Sequence, residues 1–198
     1  MEALLQQLFA LLPSGPVYLV LVGLIAFCES LPVIGLIVPG STLILFSGFL
    51  ALHGKGEILA IMCVATLGAI MGDLASYILG ARNGSVLLQS RALQKRRKLV
   101  RKAELFFSEH GGKSIFFARF TGPIRGLVPF IAGCARMRPA PLSLYVLISG
   151  PLWGLAYPGI GYLAGASWQN VELWSARFAM LISLLLVITL AAVWLRRR

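Results

Sequence analysis

Long apolar segments alternate with short polar links along most of the chain. The segments cover approximately residues 16–30, 31–52, 58–80, 114–135, 142–166 and 177–195. Several of them approach or exceed the roughly 20 residues that a helix needs to cross a bilayer. The composition agrees, because only 13% of the residues are charged, whereas a soluble domain carries about 25%. The pattern therefore predicts an all-α integral membrane protein.

Three regions follow from this pattern. Residues 1–15 form an N-terminal amphipathic segment, since their sequence has neither the basic start nor the small-residue cleavage site of a secretory signal. The membrane domain covers residues 16–166 and includes a basic loop at 81–113. A C-terminal transmembrane helix and a basic tail cover residues 167–198.

Two of the apolar segments are interrupted by a helix breaker. Pro39-Gly40 lies within the second segment, and Gly122-Pro123 lies within the fourth. Proline removes a backbone donor and clashes with the preceding turn, and glycine weakens a helix. Each interrupted segment is therefore a candidate re-entrant hairpin, which enters the membrane and leaves it on the same side.

The distribution of positive charge indicates which segments cross. Nine of the eighteen basic residues lie between Arg82 and Lys113, and three more end the chain at 196–198. Basic loops stay in the cytoplasm, so the loop and the tail are expected on that side. If the fourth segment crossed, the tail and the link with Arg136 and Arg138 would both lie outside. A re-entrant fourth segment keeps all three basic regions in the cytoplasm.

The same reasoning, applied towards the N-terminus, gives the rest of the topology. The nearly neutral link 53–57 is external, and the second segment enters the membrane from that side. The prediction is about four transmembrane helices plus two opposed re-entrant helical hairpins, with both termini in the cytoplasm.

The two halves of the chain share one order of motifs. Each half shows a proline–glycine break followed by two GxxxG motifs, which by themselves indicate only close helix packing. The motifs lie at Pro39-Gly40, Gly68–Gly72, Gly80–Gly84, Gly122-Pro123, Gly150–Gly154 and Gly161–Gly165. In the predicted topology an odd number of crossings separates the halves, so the repeat would be inverted, as in many secondary transporters.

Two arginines in the fourth segment are the main candidate functional residues. Arg119 and Arg125 flank the Gly122-Pro123 break, and an arginine at the bilayer centre costs roughly 2.5–3.5 kcal/mol on insertion scales. The break allows the two guanidiniums to converge on a phosphate, which accepts bidentate hydrogen bonds. The alternative is that each arginine pairs with a carboxylate or caps carbonyls freed at the break.

Two acidic residues lie in apolar segments. Glu29 is either a proton-coupling group or an ion-pair partner of an arginine, and the sequence does not choose between these roles. Asp73 lies in a glycine-rich stretch near Tyr77, where a structural hydrogen-bond role is equally well supported.

The sequence argues against metal, cofactor, nucleic-acid and enzyme chemistry. Cys28, Cys63 and Cys134 form no CxxC pair, and His53 and His110 are isolated. No GxSxG, HExxH or Walker A motif is present. A basic run beside membrane spans is typical of a cytoplasmic loop and of contacts with anionic lipid head groups, not of nucleic-acid binding.

Three stretches resemble the DedA family, whose shared region is also called the VTT or SNARE-associated domain. They are "ESLPVIGLIVPGSTL" at 29–43, "GAIMGDLASYILGARNG" at 68–84 and "FFARFTGPIRGLVPFIAG" at 116–133. The third is the most specific, with its F-x-R-F-x-G-P-x-R pattern followed by A-G. The resemblance covers roughly residues 16–166.

This resemblance implies a multi-pass bacterial inner-membrane protein with paired re-entrant hairpins. It implies translocation of undecaprenyl phosphate or of phospholipids such as phosphatidylethanolamine, coupled in some members to the proton-motive force. By position, Glu29 corresponds to the membrane-embedded acid, and Arg119 and Arg125 to the functional arginines. Ser41 departs from the family, since many members carry an acid there; proton coupling is therefore either absent or carried by Glu29 alone.

A lipid translocase is thus the favoured function, with membrane lipids as the expected partners, and protons as well if Glu29 couples transport. The alternative is a membrane scaffold or receptor for envelope homeostasis that transports nothing. An enzyme is the least favoured class, and the sequence leaves open whether the chain forms a homo-oligomer.

Overall fold

The computed structural model describes the backbone of residues 13–37 and 39–196, and the side chains of these residues as far as Ser167 except that of Pro123. The secondary structure of the described residues is entirely helical. The helices are α1 (Pro16–Glu29), α2 (Gly40–Ala51), α3 (Ile58–Leu88), α4 (Arg91–Lys95), α5 (Arg97–His110), α6 (Lys113–Ala118), α7 (Leu127–Cys134) and α8 (Pro139–Arg196). Short 3-10 turns occupy Ile34–Leu36 and Gly122–Ile124. The predicted amphipathic segment lies mostly outside the described residues.

Helix α1 begins at Pro16 because the residues around it fix the start. Gly15 has φ +67°, a conformation that glycine adopts without strain. Pro16 then occupies the first helical position, where its missing N–H costs nothing. The helix has 14 residues and is about 21 Å long at 1.5 Å per residue. That length is shorter than the hydrocarbon core of about 30 Å.

The first interruption is longer than the Pro39-Gly40 break predicted from the sequence. Helix α1 ends at Glu29 and α2 begins at Gly40, and the first 3-10 turn lies between them. Helices α1 and α2 are therefore the two arms around this turn, so residues 31–52 do not form a hairpin by themselves. The arms are antiparallel, since the Tyr18 hydroxyl at the start of α1 donates to the Ser47 carbonyl near the end of α2 at 3.4 Å.

The second interruption lies at the predicted Gly122-Pro123 break. Gly122 has φ +71°, which favours glycine, and it opens the second 3-10 turn. Helix α6 precedes the turn, and α7 follows it. All but the last residue of α7 are buried, so this helix lies inside the protein although it spans only eight residues.

Close packing of α7 on α3 depends on two glycines, of which Gly80 belongs to a GxxxG motif and Gly133 does not. A Cβ on Gly133 would overlap the carbonyl oxygen of Tyr77, and a Cβ on Gly80 would overlap that of Phe130. The Tyr77 hydroxyl also donates to the Met137 carbonyl at 2.6 Å. These contacts hold the second hairpin against α3.

Two helices in the described part of the chain are long and apolar enough to cross a membrane. They are Ile58–Leu88 and the Pro139–Ser167 part of α8. The backbone of α8 continues to Arg196 without separating the predicted segments 142–166 and 177–195. The predicted C-terminal crossing itself lies beyond the residues whose side chains are described.

Each hairpin packs one arm on α3 and the other arm on α8. In the first hairpin α1 packs on α3 and α2 packs on α8. In the second, α7 packs on α3 and α6 packs on α8. Helices α3 and α8 also pack on each other, so that each interrupted segment is held between the two long helices.

Candidate functional site

The two interrupted segments meet at their turns. A Cβ on Gly126 would lie 3.1–3.2 Å from the carbonyl oxygens of Glu29, Ser30 and Leu31, which shows how closely the two backbones approach. Hydroxyl groups bind to backbone carbonyls here, since Ser76 donates to the Gly126 carbonyl at 2.9 Å. Such partners are needed where non-helical backbone is buried at membrane depth.

An ion pair between Glu29 and Arg125 joins the two hairpins. Glu29 ends α1 and Arg125 follows the second 3-10 turn, and both side chains are 7% exposed. Ser41, in the first turn of α2, connects the pair. Its hydroxyl donates to Glu29 Oε1 and accepts a hydrogen bond from Arg125 Nη1 at 3.1 Å. The serine that departs from the family pattern is therefore part of this site.

Trp153 supports the guanidinium of Arg125 from one face. The Arg125 Cζ lies 4.3 Å from the centroid of the indole ring, and Trp153 is completely buried. A desolvated cation over a tryptophan ring is stabilised by the negative face of the ring. The contact fixes the plane of the guanidinium and leaves its edges for hydrogen bonding.

One donor of Arg125 has no hydrogen-bond partner. Nη1 donates to Ser41 and Nη2 lies against Glu29 Oε2 as an ion pair, whereas Nε forms no hydrogen bond with any described residue. Buried donors are normally satisfied. Arg125 also lines a cavity of about 290 Å³ between the two turns. The cavity is lined by Glu29, Gly35, Leu36, Ile37, Pro39, Ser41, Thr42, Gly122 and Arg125.

Arg119 forms a second ion pair, in which both Nε and Nη2 have partners. Nη2 binds Asp73 of α3, and Nε donates to Ser149 Oγ of α8 at 3.0 Å. Arg119 and Asp73 are both buried, and neither lines the cavity beside Arg125. The pair ties the second hairpin to both long helices.

Comparison with known proteins identifies the family. The sequence profile of the VTT domain matches residues 38–163. This stretch includes Ser41, Asp73 and both arginines, whereas Glu29 lies just before it. The chain belongs to the VTT-domain family, also known as the DedA family. The recognition made from the three sequence stretches is therefore confirmed.

Relatives of the chain include named membrane proteins. The inner membrane protein YabI of Escherichia coli K12 is 36% identical over 84% of this chain and 65% of its own length. The protein DedA of the same strain is 33% identical over 72% of this chain and 66% of its own length. An "alkaline phosphatase-like protein" of Lactococcus lactis is 25% identical over 68% of this chain and 66% of its own length. The chain thus spans about two thirds of the length of these relatives. No solved structure was found to match it.

The structure of this VTT domain assigns a separate carboxylate to each arginine. The sequence left open whether Arg119 and Arg125 converge on one ligand or pair with acids, and the geometry shows the pairs Arg119–Asp73 and Arg125–Glu29. The four charges still interact, since Arg125 experiences the charges of Asp73 and Arg119 as well as that of Glu29. The cluster is formally neutral.

Two residues of the VTT domain site escaped the sequence analysis. Ser149 and Trp153 lie four residues apart on α8, so they face the same side of the helix, and each contacts one of the arginines. The stretch "SGPLW" at 149–153 gave a weak signal, a hydroxyl and a tryptophan around a proline in an apolar helix. No group of histidine, cysteine, aspartate and glutamate side chains suited to a metal occurs in the described part of the chain.

Proposed function

We propose that this VTT-domain protein translocates a phosphate-bearing lipid across the bacterial inner membrane. One observation carries the proposal. The buried guanidinium of Arg125, whose Nε has no hydrogen-bond partner among the described residues, borders a cavity between the two interrupted segments. Once Glu29 releases Nη2, the parallel Nε and Nη2 donors would match two oxygens of a phosphate. An anionic lipid head group is the ligand that this edge fits best.

The size and surroundings of the cavity suit a head group rather than a whole lipid. Its volume is about 290 Å³, which is small for a ligand pocket. Ile37 lines it and is 75% exposed, and Ile34 in the same turn is 39% exposed. In this proposal the phosphate enters the cavity while the acyl or prenyl tail lies along these exposed side chains in the hydrocarbon.

Charge balance supports a role for Glu29 in the transport cycle. The cluster of two arginines and two carboxylates is neutral, so a bound phosphate would leave a net negative charge buried at membrane depth. A proton on Glu29 would offset one negative charge and free Arg125 from its ion pair. Proton coupling through Glu29 alone follows, because Ser41 provides a hydrogen bond but no second carboxylate at this position.

The packing of the hairpins supports the proposed topology. In an inverted repeat α1 would correspond to α6, α2 to α7 and α3 to α8. The contacts α1–α3 and α2–α8 then correspond to the contacts α6–α8 and α7–α3, and all four are present. This is the pattern expected of an inverted repeat. We infer four crossings, two opposed re-entrant hairpins and cytoplasmic termini, with the site between the hairpin turns accessible from alternate sides.

The test is a lipid-flip assay in proteoliposomes with purified full-length protein. Undecaprenyl phosphate, phosphatidylethanolamine and a lipid without phosphate are compared, each with and without a pH gradient. We expect flipping of a phosphate-bearing lipid that is lost in Arg125→Gln and kept in Arg82→Gln, a matched change at an exposed arginine. Equal flipping of the lipid without phosphate would contradict the proposal.

The same assay addresses the two other function classes. A scaffold or receptor would depend on the exposed basic loop, but deletion of residues 90–103 would remove Leu93, Val100 and Ala103 from the core. Glutamine substitutions at exposed Lys95 and Lys102 test the loop better than this deletion does. A translocase carrying them should still flip lipid. We propose that the chain is not an enzyme, so release of inorganic phosphate during the assay would overturn this part of the proposal.

A further inference from the structure

The surface formed by α4 and α5 is densely cationic. Seven basic residues fall within residues 91–102, and no acidic residue interrupts them. All seven are exposed, and no carboxylate in the described part of the chain forms a salt bridge with any of them. They are Arg91, Lys95, Arg96, Arg97, Lys98, Arg101 and Lys102. The surface therefore carries positive charge that the protein itself does not neutralise.

The opposite side of these helices fixes the orientation of the cationic surface. Leu93, Val100 and Ala103 are buried in the same hydrophobic core as α7. Helix α5 is strongly amphipathic as a result, with its apolar side on the protein and its basic side outward. The basic side chains are thus presented on a docked element.

Helix lengths place this surface at the level of the lipid head groups. Helix α3 is kinked at Asn83, and its part before the kink, residues 58–82, is about 37 Å long, which exceeds the hydrocarbon core of about 30 Å within a bilayer of about 40–45 Å. Helix α4 begins three residues after the end of α3. Leu105, on the outward side of α5, is 50% exposed, and an apolar residue among cations is typical of a helix lying in the membrane interface.

Within the cationic surface, Arg97 and Arg101 border a defined cavity. They lie four residues apart on α5, where like charges destabilise a helix. The cavity has a volume of about 240 Å³. Leu93 and Val100 form its buried floor, and Gln94 and Glu104 complete its polar wall. A second concavity, lined by Arg97, Lys98 and Arg101, adjoins it.

We propose that this cavity is a binding site for an anionic phospholipid of the surrounding leaflet, of the phosphatidylglycerol type. Arg97 and Arg101 bind the phosphate, whose negative charge relieves their mutual repulsion. Gln94 and Glu104 provide hydrogen-bond partners for the hydroxyl groups of a glycerol head group, and the apolar floor accommodates the start of the acyl chains. This site is separate from the buried arginines and does not depend on the proposed transport.

Lipid retention by the full-length protein tests the site. The protein is purified in detergent, titrated with phosphatidylglycerol or phosphatidylcholine, and bound lipid is counted by native mass spectrometry. The variant Arg97→Gln/Arg101→Gln is compared with Lys95→Gln/Lys102→Gln, which removes the same charge from positions that line neither concavity. Melting temperatures with and without lipid are measured for each protein.

We expect the arginine double variant to bind phosphatidylglycerol about thirtyfold more weakly, the loss expected for two basic residues at a membrane surface. Its melting temperature should no longer rise with this lipid, since only a bound ligand stabilises the fold. The lysine double variant should keep most of both effects. Equal losses in the two variants would overturn the proposal in favour of diffuse attraction. Equal binding of phosphatidylcholine, or displacement of phosphatidylglycerol by an oligonucleotide, would also overturn it.

Discussion

At the scale of single residues, the two buried arginines differ in how much of each guanidinium is already bound. The Nε and Nη2 atoms of Arg119 bind Ser149 and Asp73, whereas of the same two atoms in Arg125 only Nη2 has a partner, Glu29, and Nε has none among the described residues. The first arginine therefore acts as a structural tie between helices. The second keeps one unpartnered donor beside the cavity, so we expect the two residues to respond differently to substitution.

Lysine substitution of the two arginines should produce different defects. Arg125→Lys keeps the charge beside Glu29 but cannot give a two-pronged contact to phosphate, so transport should fall about ten- to a hundredfold, the range for a lost charge-assisted hydrogen bond. Arg119→Lys loses one of two buried contacts and should lower both transport and melting temperature. Flip assays and thermal denaturation at matched expression provide the measurement.

A double variant provides the control for that prediction. If Arg125 only neutralises Glu29, then Glu29→Gln combined with Arg125→Gln should recover transport, and Arg125→Lys should remain active. Either result would contradict the phosphate contact. A fully inactive double variant is what the contact predicts.

Trp153 should act as a positioning residue for Arg125. Its Nε1 has no hydrogen-bond partner among the described residues, so Trp153→Phe keeps a ring under the guanidinium without losing a hydrogen bond. Trp153→Leu removes the cation–π contact, which is worth about 0.5–2 kcal/mol. We expect the half-saturating lipid concentration to rise in the leucine variant and much less in the phenylalanine variant. Equal defects with equal loss of melting temperature would indicate a packing role only.

At the scale of elements, the short helices are held in place by backbone contacts that leave no space for a side chain. Gly133 of α7 lies against Tyr77 and Ala81 of α3, and Gly40 of α2 lies against the Glu29 side chain. Because α7 has only eight residues, its own hydrogen bonds cannot stabilise it. Its packing on α3 therefore determines where the second turn and Arg125 lie.

Alanine at Gly133 should displace α7. The added Cβ would overlap the Tyr77 carbonyl and lie 2.8 Å from the Ala81 nitrogen, and backbone atoms cannot yield as a flexible side chain does. Overpacking of this kind costs about 1–3 kcal/mol, so the melting temperature in detergent should fall. Gly23→Ala is the matched control, because its nearest neighbours lie 3.6 Å and 3.8 Å away and it should melt like the wild type.

At the scale of the whole molecule, the two long helices and the two hairpins form one unit around the buried charges. Each hairpin contacts both α3 and α8, and the ion pairs connect elements from opposite halves of the domain. In the proposed topology the two hairpins enter from opposite sides of the membrane. The topology is therefore the property of the whole molecule that most needs a direct test.

Cysteine labelling should place the two links next to the hairpins on opposite sides. In a background without cysteine, Ala135→Cys should react from the cytoplasm and His53→Cys from the outside. Both positions are exposed, and neither substitution adds or removes an aspartate, glutamate, lysine or arginine. A membrane-impermeant reagent applied to intact cells and to inverted vesicles makes the measurement. Labelling of both positions from one side would contradict the opposed hairpins.

The sequence by itself determined the class of the protein, the close packing at the GxxxG glycines and the identity of the buried charges. Apolar runs, helix breakers and lone ionisable residues are local features. They can be recognised from the sequence because a membrane accepts apolar segments but penalises unsatisfied backbone groups and charges. The start of α1 and the second break at Gly122-Pro123 followed the sequence for the same reason, because proline and glycine act on their own backbone.

Only the tertiary structure decided which groups meet. Asp73 and Arg119 are 46 residues apart, and Ser41 and Arg125 are 84 apart, so their pairing depends on how the hairpins pack on α3 and α8. Gly35 in the first interruption packs on the Glu29 backbone, a contact that exists only in the folded turn. Trp153 belongs to the site for a similar reason: a tryptophan in an apolar helix gains a role only when folding brings a cation over its ring.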